Sequence, residues 1–230
     1  MRRRWCCPGF VDCGSELLRT AYGDLCGLAV GLTEADSWQP SGCAGWAVRD
    51  LLLHHLGDAQ RALVALATAS PDGPCDRDAV TYWTDAPGRS DPESRGLRAT
   101  RTIASAYRLD ALQTVYLETL QAVVALASRV APSAVAVTQS HVLRVDDLLA
   151  TLVTEAALHH LDLVAHLAAP GPAAETLAVV RCTLDGLLGH PGPADWDDVT
   201  WALVGTGRQL LGPRERAALG ADADRLPLLA

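Results

Sequence analysis

Apolar residues recur every three to four positions along four long stretches of this 230-residue chain, a spacing that predicts amphipathic helices. The first covers about residues 15–32, with Leu17, Leu18, Tyr22, Leu25, Leu28 and Ala29 on one stripe. The second covers about 46–69 along Val48, Leu52, His55, Ala59 and Leu63. The third, about 94–130, carries Leu109, Leu112, Val115, Tyr116, Leu120 and Val123. The fourth, about 145–168, opens with Asp146 and Asp147, whose charges suit the positive end of a helix. Two-residue alternation is confined to the short piece from Ala134 to Val137. Four helices of eighteen or more residues, each about 27 Å long or longer, predict an all-α four-helix bundle.

The connections refine this picture. Some twenty residues rich in Pro, Gly, Asp and Arg, from Ser70 to Pro92, separate the second and third helices. A crossover of that length lets the two run parallel. Pro170-Gly171-Pro172 stops the fourth helix, and two or three shorter helices are expected, near 174–188, 195–204 and 213–219. The expected organisation is a loosely ordered start (1–10), a bundle (11–170) and a short helical C-terminal extension packed on it (171–230).

Composition removes several chemistries. All nineteen basic residues are arginine, against twenty-seven acidic ones, for a net charge of −8. Without lysine there is no Schiff base and no phosphate-binding loop of the G-x-x-x-x-G-K-[ST] type. An acidic balance argues against nucleic acid as a partner. The basic start lacks the apolar run of a secretory signal, and no uncharged apolar stretch approaches membrane-spanning length. Seven scattered cysteines with no C-x-x-C pair suggest reduced thiols and a cytoplasmic setting.

The fourth helix carries the chemistry. Glu155, His159, Asp162 and His166 fall four, three and four residues apart, one polar stripe beside the buried seam of Leu149, Leu152, Val153, Ala156, His160 and Leu163. A carboxylate and an imidazole at i, i+4 can converge on one cation at about 2.0–2.2 Å. A solvated face with Glu–His pairing is the competing reading, with His166 at the rim or in solvent. On the second helix, periodicity points His55 inward as a hydrogen-bonded core histidine and sets His54 at the seam edge. Trp38 and Trp46 read as packing residues at the mouth of that helix.

Leu32-Thr33, Trp38 and the run Pro40-Ser41-Gly42-Cys43-Ala44-Gly45-Trp46-Ala47-Val48-Arg49-Asp50-Leu51-Leu52-Leu53-His54 resemble the opening signature of mycothiol-dependent maleylpyruvate isomerase-like proteins, in the DinB-like superfamily of metal-binding four-helix bundles. Glu155-Ala156-Ala157-Leu158-His159-His160-Leu161-Asp162 resembles the second signature, Glu-x-x-x-His-x-x-Asp. Gly205-Thr206-Gly207-Arg208, Leu219-Gly220 and Leu226-Pro227-Leu228-Leu229 resemble the tail. The resemblance implies that His54, Glu155 and His159 bind a divalent metal, usually zinc. His55 stands where the family pattern has an apolar residue, so both histidines stay open as the helix-two ligand. The resemblance also implies mycothiol, the small thiol of actinobacteria, as cofactor or cosubstrate.

The expected activity is S-transfer or isomerisation, in which a metal-activated thiolate attacks a small electrophile, in detoxification or secondary metabolism. Asp162 is expected to support a ligand imidazole from behind or to anchor the fold. Arg208, between glycines that permit close approach, is the first candidate for binding substrate or thiol. Arg98 and Arg101 follow, with a solvated surface as their alternative role. The cysteines lie in no recognisable base-paired motif and are poor candidates for a nucleophile. A homodimer stays open as an assembly. So do a non-catalytic metal-binding or regulatory bundle and a thiol-independent metal-dependent tailoring enzyme.

Overall fold

The computed structural model describes residues 10–85 and 95–229. The chain forms α1 (Phe10–Gly31), a short α2 (Glu34–Ser37), α3 (Val48–Ala67), α4 (Arg95–Ala106) and α5 (Leu109–Ala127). A hairpin of β1 (Val135–Thr138) and β2 (His141–Arg144) leads into α6 (Val145–Val164). Beyond it lie α7 (Ala174–Leu188), α8 (Asp198–Gly205) and α9 (Pro213–Leu219). The loosely ordered start expected for residues 1–10 falls almost wholly outside the described residues.

Helices α1, α3, α5 and α6 make an all-α bundle whose directions follow from its contacts. The Gln113 amide, near the start of α5, donates to the carbonyls of Ala29 and Leu32 at 2.7 and 3.1 Å, so α1 and α5 are antiparallel. Arg49 at the start of α3 reaches the chain just before α5, and His55 meets Tyr116 one-third of the way along both. Ser70 and Val135 pair beyond their far ends, so α3 and α5 run parallel, as the long crossover allows. The Gly42 N–H donates to the Asp162 carbonyl at 2.7 Å, which sets the end of α6 against the entrance to α3.

The core is continuous across the four helices, with Leu18, Tyr22, Leu25, Leu51, Leu52, Leu112, Tyr116, Leu120, Leu149 and Val153 among its members. The opposite face of α6 presents Ala157 and Leu158 to a second apolar cluster of Leu177, Val180, Leu184, Trp201 and Val204. Helix α6 is therefore covered on both sides, and the C-terminal helices pack on it. Cys182 on α7 is disulfide-bonded, which corrects the expectation of reduced thiols throughout.

Two elements depart from the sequence pattern. The third helix, expected as one piece over 94–130, is broken between Ala106 and Leu109. Arg49 explains the break: its side chain is 1% exposed, and it donates to the carbonyls of Ala104 (3.2 Å) and Tyr107. These are terminal carbonyls of α4, which need an outside donor. The same guanidinium pairs with Glu34 at 2.8 Å and lies 4.0 Å from the Trp38 ring centroid. The second departure is the hairpin, of which only the first strand left a trace in the pattern. Its turn residues Gln139 and Ser140 have φ of 47° and 69°, the left-handed conformations of a tight hairpin turn, without the Asn-Gly that advertises one.

Arg49→Leu removes the donor to the buried Ala104 and half-buried Tyr107 carbonyls and the partner of Glu34. It is expected to lower the unfolding free energy by about 3 kcal/mol, read from urea denaturation; a change below about 0.5 kcal/mol would contradict the role given to Arg49.

Candidate metal centre

The entrance to α3 is fixed before its functional face begins. Asp50 accepts a hydrogen bond from the Ala47 N–H at 2.8 Å, closing the first turn, and Trp46 is buried with its ring 5.1 Å from that of His54. With that register, His54 and Asp58 lie one turn apart facing α6. Glu155 and His159, also one turn apart, face them from α6. One donor atom from each of these four residues lies within 4.8 Å of the other three. The His54 and His159 rings stand 5.2 Å apart, nearly perpendicular, and His54 Nε2 is 3.4 Å from Asp58 Oδ2.

Burial controls the charge state of this cluster. It pushes the His54 imidazole down to about 3, helped by the positive charge available to His159 and carried by Arg61. His54 is therefore neutral at physiological pH, the form that ligates a cation. Burial also raises the Glu155 carboxyl, opposed by His159 and Arg61. Asp58 is 4% exposed; its Oδ1 pairs with Arg61, and its Oδ2 has no hydrogen-bond donor among the described residues. A buried carboxylate oxygen without a donor is costly, and a cation beside two imidazoles would satisfy it.

The neighbouring histidine has other work. His55 is buried with Nδ1 2.8 Å from the Tyr116 hydroxyl and its ring T-stacked on Tyr22. It belongs to the core, while His54 stands in the donor cluster. His160 likewise turns away, its Nε2 3.1 Å from the Pro170 carbonyl oxygen. His166 lies exposed past the end of α6.

Asp162, 3% exposed, stands behind the cluster. Its Oδ2 is 3.4 Å from His159 Nδ1 and 3.4 Å from Cys43 Sγ. Arg208 grips the same carboxylate with two bonds, Nε to Oδ1 at 3.0 Å and Nη2 to Oδ2 at 2.8 Å. Burial alone would raise this carboxyl, but the hydrogen bonds and positive charge of His159 and Arg208 outweigh it and hold it below its ordinary range. The close approach of the α3 entrance depends on Gly42: a Cβ there would fall 2.7 Å from Asp162 Oδ1 and 2.9 Å from its Cα.

Of the arginines expected at the substrate end, Arg208 is engaged by Asp162. Arg98 is exposed on α4, and Arg101 donates to the Gly45 carbonyl at 3.3 Å. Neither lines the small cavity beside the cluster, which is bounded by Asp58, Arg61, Tyr82, Gln139, Thr151 and Glu155. Asp58 and Arg61 went unnoticed in the sequence. Their signal is His54-x-x-x-Asp58, the same i, i+4 spacing as Glu155-x-x-x-His159, on the helix that faces it.

Arg208→Ala would leave the Asp162 charge buried without its strongest partner. A stability loss of about 3 kcal/mol is expected in urea unfolding, with a smaller loss for Arg208→Lys; equal stability of all three proteins would refute the pairing.

Comparison with known proteins agrees with this architecture. A family model described as the mycothiol maleylpyruvate isomerase N-terminal domain matches residues 18–164, from α1 to the end of α6. No curated protein and no solved structure gives a significant match. The matched span covers both helices of the donor cluster and most of the chain: the protein belongs to the mycothiol maleylpyruvate isomerase N-terminal domain family, with its DinB-like helical bundle.

Proposed function

We propose that the protein is a divalent-metal-dependent enzyme, with zinc as the metal, that uses mycothiol in S-transfer or isomerisation of a small electrophilic substrate. The observation that carries this reading is the meeting of His54, Asp58, Glu155 and His159, with donor atoms within 4.8 Å of one another, on two helices of a family bundle. Two imidazoles and carboxylate oxygens are a donor set suited to zinc. The buried Asp58 oxygen without a donor is a further sign that the cluster fits a cation.

His54, Glu155 and His159 would hold the ion, with Asp58 in reach as a fourth donor. When bound, a divalent cation supplies the positive charge that favours a thiolate over a thiol near neutral pH. Burial keeps His54 neutral, so its lone pair is available without first losing a proton. Asp162 Oδ2 lies 3.4 Å from His159 Nδ1, where a carboxylate would orient a ligand imidazole from behind. Arg208 fixes Asp162 in turn. Trp46 and the buried helix seam exclude water from the rear of the site. The partners of such a centre are a small thiol and a small electrophile. Among the described residues, no helix is long and apolar enough to cross a membrane.

Metal analysis of the purified protein, with a mycothiol assay on a halogenated aromatic electrophile, tests this reading. About one equivalent of zinc is expected, with thiol-dependent turnover and loss of both in His159→Ala. Protein that holds no divalent metal and gains none on incubation would overturn it.

A further inference from the structure

The small cavity beside the donor cluster is bounded by two members of that cluster, Asp58 and Glu155, and by Tyr82. A group that enters it meets Tyr82 as well as the cluster. Tyr82 lies in a short 3-10 helix, Thr81–Asp85, whose approach is fastened at several points. The Asp76 N–H donates to the Val142 carbonyl of β2 at 3.0 Å, and the Asp76 carboxylate accepts from the Val142 N–H at 2.7 Å. The Ala79 N–H donates to the carboxylate of Asp147, in the first turn of α6, at 3.2 Å. Asp78 closes the turn by accepting from the Thr81 N–H at 2.7 Å. The Tyr82 ring meets the Trp83 and His141 rings edge to face, with centroids 5.0 and 5.9 Å apart. A side chain held this way is a preorganised donor, which needs no rearrangement at the moment of reaction.

Among the described residues the Tyr82 hydroxyl has no hydrogen-bond partner. Two other donors of the cavity are engaged: Thr151 Oγ1 donates to the Leu148 carbonyl at 2.8 Å, and Arg61 pairs with Asp58 Oδ1. A tyrosine is protonated near neutral pH, and burial together with the Glu155 charge pushes Tyr82 up to about 12. The cavity therefore has a neutral, fixed and unspent O–H beside the proposed ligand Glu155. We infer that Tyr82 is a catalytic residue of the proposed reaction, donating a hydrogen bond to an oxygen of the electrophile as negative charge develops there. When sulfur bonds to the attacked carbon, an electron pair of that carbon's π bond moves onto a conjugated oxygen. Tyr82 stabilises that oxygen and keeps its own proton; the pair returns as the leaving group departs. This inference rests on the thiol-using function proposed above. It adds the residue that meets the substrate and a preference for electrophiles that carry their charge onto oxygen.

The test is Tyr82→Phe, which keeps the ring and removes only the hydroxyl. Picrate carries its charge on oxygen and has no leaving group, so it reads the donor without turnover. Its dissociation constant, by equilibrium dialysis against zinc-loaded protein, is expected to rise about tenfold in Tyr82→Phe at unchanged zinc content. The kinetic comparison is mycothiol transfer to chlorodinitrobenzene, where charge develops on nitro oxygens, against transfer to benzyl bromide, where the electron pair leaves with bromide. Tyr82→Phe is expected to slow the first about 100-fold and the second less than about twofold. The inference is overturned if picrate binds parent and variant equally, or if both electrophiles slow by the same factor, as loss of a merely structural contact would cause. Either result in a parent that holds zinc and turns over thiol leaves the functional reading standing. A parent with no metal and no thiol-dependent turnover overturns that reading, and this inference with it.

Discussion

The carboxylate of Asp162 is a negative charge buried at the end of α6, and two distant parts of the chain converge on it. Arg208 arrives from the C-terminal tail and Cys43 from the loop before α3, where the Gly42 N–H also bonds the Asp162 backbone carbonyl, and His159 stands one turn back on the same helix. A buried charge that loses its partner costs several kcal/mol, so these segments hold one another in place. The His159 ring lies against that arrangement, its Nδ1 3.4 Å from the Asp162 carboxylate. The site's geometry is thus tied to the packing of the tail on the bundle, and a disturbance in either is felt in the other.

The bundle supplies the second condition. With α3 and α6 antiparallel, the first turns of one helix lie beside the last turns of the other, and two i, i+4 pairs meet face to face. Apolar residues pack behind them, so burial holds the His54 imidazole neutral and the buried carboxylates need a positive partner. Arg61 provides part of that charge from the surface, and the cluster has room for a cation to provide the rest.

Much of this was legible in the sequence because helical periodicity is a local property. The four long helices, the crossover that makes α3 and α5 parallel, and the helical tail follow from spacing and from Pro and Gly positions. Of the donor cluster, Glu155 and His159 were visible as an i, i+4 pair and His54 as a histidine at the seam edge, and the core role of His55 followed from its place on the buried stripe. What escaped depends on tertiary contacts. The break at Tyr107 exists because Arg49, nearly sixty residues earlier, caps the end of α4. The hairpin uses Gln139-Ser140 at positive φ, a turn that carries no compositional flag. Arg208 reads as a free fork until the fold shows Asp162 inside it. Asp58 was hidden because a single aspartate on an amphipathic helix is unremarkable until a partner helix faces it.

The central claim is that two imidazoles, one from α3 and one from α6, share a cation with a carboxylate. Zinc-edge X-ray absorption of the metal-loaded protein, recorded without added thiol, addresses it most directly. The account predicts nitrogen and oxygen donors at about 2.0–2.2 Å with the outer-shell scattering of two imidazoles, reduced to one in His54→Ala. A first shell containing protein sulfur, or a spectrum unchanged by His54→Ala, would contradict it.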